Sequence, residues 1–110
     1  MTLKPGIKLI SETEGAGVEV KKGNSVKVLL SAWLNKGEVI QSKQTYEVVL
    51  GARNVIPGIE YSIEGMKVGG KRKVKLSPHL GYGEKGVPGK IPGNAVLVYE
   101  IEVLGVVSKT

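Results

Sequence analysis

The chain has no cysteine. That removes a disulfide framework, a thiol nucleophile and a thiolate metal site, and it leaves the redox compartment open. Its single histidine, His79, provides no His pair, no three-His metal site and no Ser-His-carboxylate triad; beside Pro78 it reads as a solvated loop residue. No stretch approaches the roughly 18 apolar residues of a membrane span. The opening M-T-L-K-P-G-I-K-L-I-S-E lacks the apolar core of a secretory leader. The expectation is a soluble, cytoplasmic protein without a membrane partner. Walker and dinucleotide-binding glycine signatures are absent, and G-G-K-R at 69–72 lacks the spacing to cradle phosphate, so no cofactor is expected.

What is present fits one compact unit. The 110 residues read as a single domain, 1–110, long enough to bury roughly 65% of the unfolded surface without staples. Sixteen Lys and Arg against ten acidic residues give a net charge of +6, partly gathered at Lys71, Arg72, Lys73 and Lys75. Such charge favours solubility and encounter with polyanions. No aromatic residues interleave with the run, so it reads as a solvated face and not as a nucleic-acid surface.

Apolar spacing separates strands from helix. Ile7 to Ser11 reads as a short strand, followed by a turn or bulge through E-T-E-G-A-G; K-K-G-N at 21–24 is a second turn. From Val26 to Leu34 the pattern alternates, with Val28, Leu30, Ala32 and Leu34 facing inward. Asn35 to Gly37 reverses the chain, and E-V-I-Q-S leads toward a further strand, T-Y-E-V-V-L, in which Tyr46, Val48 and Leu50 share a side. Lys71 to Leu76 alternates again: Val74 and Leu76 point inward, and Arg72 is an awkward member of that side. Ala95 to Leu104 sets Leu97, Tyr99, Ile101 and Val103 against an outer row containing Glu100 and Glu102. One stretch alone, V-I-P-G-I-E-Y-S-I-E-G-M at 55–66, follows a helical period, with Ile59, Ile63 and Met66 on one stripe. Pro57 suits the first turn, Glu60 sits near the positive end of the helix dipole, and Gly65 can close the far end. The fold expected is α+β, a twisted antiparallel sheet of five or six strands wrapped around one short helix.

Ser77 to Asn94, S-P-H-L-G-Y-G-E-K-G-V-P-G-K-I-P-G-N, is long for a connection in a compact domain. Its apolar Leu80, Tyr82, Val87 and Ile91 argue for an ordered flap. Val55 and Ile56 at the helix entry, Tyr46 and Tyr99 from strands, and Tyr82 with Ile91 from the flap form the candidate apolar pocket. Taken singly, each of these reads as core before it reads as site.

The linked motifs G-A-R-N-V-I-P-G-I-E, G-M-K-V-G-G-K-R-K-V, P-H-L-G-Y-G, G-V-P-G-K-I-P-G-N-A and L-V-Y-E-I-E-V-L resemble the FKBP family of peptidyl-prolyl cis-trans isomerases, the macrolide-binding immunophilins. The resemblance runs from about residue 3 to 106. It implies a prolyl pocket between helix and flap formed by Tyr46, Val55, Ile56, Ile59, Tyr82, Ile91 and Tyr99. It further implies that the Ile56 backbone N–H and the Tyr82 hydroxyl are the catalytic donors to carbonyls of a bound peptide. Proline-containing peptides or protein clients, and macrolides, are the partners implied, with the chain expected to act as a monomer. The pattern departs from the family at Ile59 (usually Trp), Leu30 (Tyr), Ile40 (Phe), Gln41 (Asp), Val87 (often His) and Lys90 (aliphatic). A second reading follows from those departures, a peptide-binding or chaperone-like module with weak or no turnover.

Overall fold

The structure is a computed structural model and describes residues 2–53 and 55–107. Its elements are β1 (Thr2–Lys4), β2 (Ile7–Thr13), β3 (Ser25–Leu34), β4 (Val39–Val49), α1 (Pro57–Ile63), β5 (Lys71–Leu76) and β6 (Leu97–Val107). The six strands form one sheet in the order β1-β2-β5-β6-β3-β4, and every pairing is antiparallel. The α+β expectation holds, with six strands and one helix among the described residues.

The inward rows are those that alternation marks. Val26, Val28 and Ala32 on β3, Val74 and Leu76 on β5, and Leu97, Ile101 and Val103 on β6 are completely enclosed. Against this face lies α1, whose Ile59 and Ile63 are buried together with Met66 just beyond its end. A seven-residue helix is unstable alone; burying three such side chains, each worth roughly 1.5–3 kcal/mol, outweighs that deficit.

Arg72 is awkward only in the sequence. It projects toward the helix, where its Nη1 donates to the Ser62 carbonyl at 2.7 Å and its Nε pairs with the Glu12 carboxylate. The last turn of α1 carries no basic residue of its own. A strand residue therefore supplies the cation that satisfies a helix-end carbonyl.

Several boundaries differ from expectation. β1 is not among the expected strands, the strand expected at Ile7–Ser11 (β2) continues to Thr13, and the last begins at Leu97 and runs to Val107. E-V-I-Q-S and T-Y-E-V-V-L form one strand, β4, bent by a bulge: Leu30 pairs with Gln44 and Ala32 with Gln41. Within the bulge Lys43 adopts φ 42°, and its N–H donates to the buried Ser31 hydroxyl at 3.0 Å. A left-handed lysine is costly by itself, and the alternation rule has no term for the hydroxyl that holds it there. On the outer face the basic run is solvated, with Lys73 Nζ 5.5 Å from the centre of the Trp33 ring, within cation–π range.

Gly58 marks where helix and sheet approach most closely: a Cβ there would stand 2.5 Å from Leu76 Cδ1 and 3.0 Å from the Leu80 carbonyl oxygen. In an open helix Gly→Ala gains up to about 1 kcal/mol. Here overpacking reverses the sign, and Gly58→Ala is expected to lose about 1–3 kcal/mol, read as a lower urea midpoint. A raised midpoint refutes this packing account.

Candidate active site

Tyr99 sits near the start of β6, between Ala32 of β3 and Val74 of β5. Both neighbours are fully buried, so the sheet encloses the ring from two sides and Tyr99 itself is only 5% exposed. Its hydroxyl ends beside two other phenols. Burial, first, and then the Tyr82 hydroxyl bonded to it and the nearby Tyr46 raise the Tyr99 pKa well above the usual phenol range. Tyr82 is 38% exposed. The Tyr46 hydroxyl is committed elsewhere, donating to Gln41 Oε1 at 2.9 Å.

The flap that carries Tyr82 is ordered by its own backbone. A short 3-10 turn at Pro78–Leu80 opens it. Gly86 N–H then donates to the Tyr82 carbonyl at 3.1 Å, Val87 and Ile91 exchange two bonds at 2.8 Å, and Asn94 N–H closes on the Gly83 carbonyl at 2.8 Å. Gly86 has φ 61°, and a Cβ there would come within 2.2 Å of the Ile91 carbonyl oxygen; the tight fold of the flap admits no side chain at that point. Ile91 is thereby turned into the core at 6% exposure.

At the helix entry Ile56 is extended, φ −61° and ψ 147°, as a residue before proline must be. Its carbonyl accepts the Ile59 N–H at 3.0 Å. Among the described residues none accepts the Ile56 N–H, which leaves this donor available. Val55 and Ile56 are half-buried against the core, and Val55 also walls a cavity of about 410 Å³ shared with Arg53, Pro57, Glu60 and Tyr61.

The candidate residues thus divide by exposure. Tyr46 and Tyr82 reach solvent, Val55 and Ile56 are intermediate, and Ile91, Tyr99 and Ile59 are buried. Tyr82, Tyr99 and Tyr46 are brought together. Ile59, at 1% exposure, offers almost no surface to a ligand and acts as internal support. Gln41 enters through its bond to Tyr46, and Glu60 through bonds to the loop before the helix. Neither role has a spacing signal in the chain.

An antiparallel sheet packed on one short helix, with an ordered tyrosine-bearing flap between its last two strands, defines an immunophilin-type prolyl isomerase architecture. Residues 17–104 match the family model described as FKBP-type peptidyl-prolyl cis-trans isomerase, and the chain belongs to that family. It is 46% identical over 92 residues to the peptidyl-prolyl cis-trans isomerase FKBP9 of Mus musculus, covering 80% of this chain and 16% of that protein. It is 39% identical over 97 residues to an FK506-binding protein of Neisseria meningitidis serogroup A, covering 84% of this chain and 89% of the relative. The 39 kDa FK506-binding nuclear protein of Drosophila melanogaster is 35% identical over 109 residues, 96% of this chain and 30% of that protein. The chain therefore spans about a sixth of the FKBP9 relatives and nearly all of the bacterial one.

The folded-state pKa of Tyr99 lies above the value of about 10 it has when unfolded. Its stabilising contribution is accordingly complete below about pH 10 and disappears as pH rises through the folded value. Urea midpoints taken from pH 8 to pH 11 are expected to fall more steeply at the alkaline end for wild type than for Tyr99→Phe. Parallel curves refute the buried assignment.

Proposed function

We propose that this chain catalyses cis-trans isomerisation of Xaa-Pro bonds in proline-containing peptides and unfolded clients, and so acts as a folding helper. The observation that carries the reading is the meeting of the exposed Tyr82 with the buried Tyr99, Tyr46 lying nearby. The available Ile56 N–H supplies a second donor.

Rotation about a peptide bond is opposed by a barrier of about 18–20 kcal/mol that comes from C–N double-bond character. The dipolar resonance form responsible for it is disfavoured in apolar surroundings, so a prolyl amide moved from water to a greasy cleft rotates more easily. A donor on the oxygen of the rotating amide would strengthen the double-bond character. The useful targets of Tyr82 O–H and Ile56 N–H are consequently the flanking carbonyls, which they hold while the amide turns. Tyr46, Val55, Ile91 and Tyr99 supply the apolar surroundings, with Ile59 beneath. This chemistry needs no nucleophile. Uncatalysed isomerisation takes tens to hundreds of seconds, so a modest acceleration changes folding times.

One feature favours the competing reading, peptide binding without turnover: Ile59 is enclosed and shorter than an aromatic platform, which reduces the flat surface for a prolyl ring. The two readings separate in one experiment. Under the proposal, micromolar protein accelerates a proline-limited refolding reaction, and FK506 abolishes the effect by competing for the cleft. Peptide shifts without faster cis-trans exchange support the binding module instead.

Tyr82→Phe is expected to weaken peptide binding by about 1 kcal/mol. It also strands the buried Tyr99 hydroxyl, so stability drops by about 1–3 kcal/mol. Adding Tyr99→Phe should recover most of the stability and none of the binding. Full binding by the double variant removes Tyr82 from the donor role.

A further inference from the structure

We propose that Glu60 is a positioning residue for the Ile56 N–H, tying down the loop between β4 and α1 so that the helix entry keeps the shape a peptide needs. The inference rests on the prolyl-peptide reading above and assigns it one more residue. Both carboxylate oxygens of Glu60 are occupied: Oε1 accepts the Gly51 N–H at 3.1 Å and Oε2 the Arg53 N–H at 2.8 Å. A carboxylate serving only the helix dipole would have no need of donors from a loop seven and nine residues upstream. The helix start carries no side-chain cap of its own, since Ile56 occupies that position without a side-chain hydrogen bond.

The loop requires such a tie. Arg53 adopts φ 59°, a left-handed conformation unfavourable for a side chain with a Cβ, and two charge-assisted bonds from one rigid carboxylate offset that cost. Ile56 follows three residues later, and its own extended geometry is set by Pro57 on the other side. Pro57 thus fixes Ile56, and Glu60 fixes Arg53 three residues before it. Strained, over-determined backbone of this kind is characteristic of ligand clamps. The clamp also places Arg53, Val55 and Glu60 around one cavity, so release of the loop alters the wall of the cleft together with its donor.

The test compares Glu60→Ala, Glu60→Gln and the double variant Glu60→Ala/Arg53→Gly with wild type. Four quantities are read: thermal melting, amide hydrogen exchange at Gly51 and Arg53, the Ile56 amide shift on titration with an Xaa-Pro peptide, and kcat/KM for isomerisation of that peptide. In Glu60→Ala both loop amides are expected to exchange faster, the Ile56 shift to shrink and kcat/KM to fall about tenfold. Glutamine, which retains one acceptor oxygen, should recover part of the loss. Arg53→Gly, which takes the left-handed conformation without strain, should recover part of the activity lost in Glu60→Ala. A lower melting temperature with unchanged kcat/KM and an unchanged Ile56 shift makes Glu60 merely structural and overturns the proposal. A wild-type chain that neither isomerises nor binds the peptide overturns the functional reading along with it, whereas an active wild type with an indifferent Glu60→Ala overturns this role alone.

Discussion

A helix of two turns cannot persist in water, and the molecule is arranged around that constraint. Every feature of α1 leans on something outside it. Its apolar stripe enters the concave sheet face, Gly58 lets the axis come down to Leu76, and Arg72 of β5 holds the Ser62 carbonyl at its far end. The turn after it is fastened by Gly65 N–H to the Val20 carbonyl at 3.1 Å. Because the helix is held from without, its entry is held too, and the segment Val55-Ile56-Pro57 becomes a fixed rim.

The phenol cluster of Tyr46, Tyr82 and Tyr99 is polar only in its hydroxyls; the charged Arg53 and Glu60 line the cavity walled by Val55, which none of these three phenols lines. A fully charged group would demand water, and an amide surrounded by water keeps its rotational barrier. Phenols meet this condition because they form hydrogen bonds without carrying formal charge, and burial opposes ionisation of Tyr99.

Much of this architecture is legible in the residues. Alternation marks the inward rows of β3, β5 and β6 because one face of each is buried and the other wet. The helical stripe at Ile59, Ile63 and Met66 is legible for the same reason. The motifs shared with the isomerase family identify Tyr82 and Ile56 as places to look. What periodicity could not supply is the polar wiring. Arg72 looks misplaced until Glu12 and the Ser62 carbonyl are brought to it from distant positions. Glu60 looks like a dipole residue until Gly51 and Arg53 fold back onto it. The bulge at Lys43 depends on the Ser31 hydroxyl one strand away. Each is a long-range pairing between residues whose local preferences say nothing of the partner.

The same bulge governs how the molecule meets its own copies. β4 is an outer strand of eleven residues, and a straight strand of that length would offer another chain a continuous row of backbone donors and acceptors. The left-handed Lys43 interrupts the row near its middle and places a positive charge there. β1, at the opposite margin, has only three residues. Edge-to-edge stacking into fibrils therefore finds one margin broken and the other too brief. A chain with such margins is in this way shielded from stacking on its own copies.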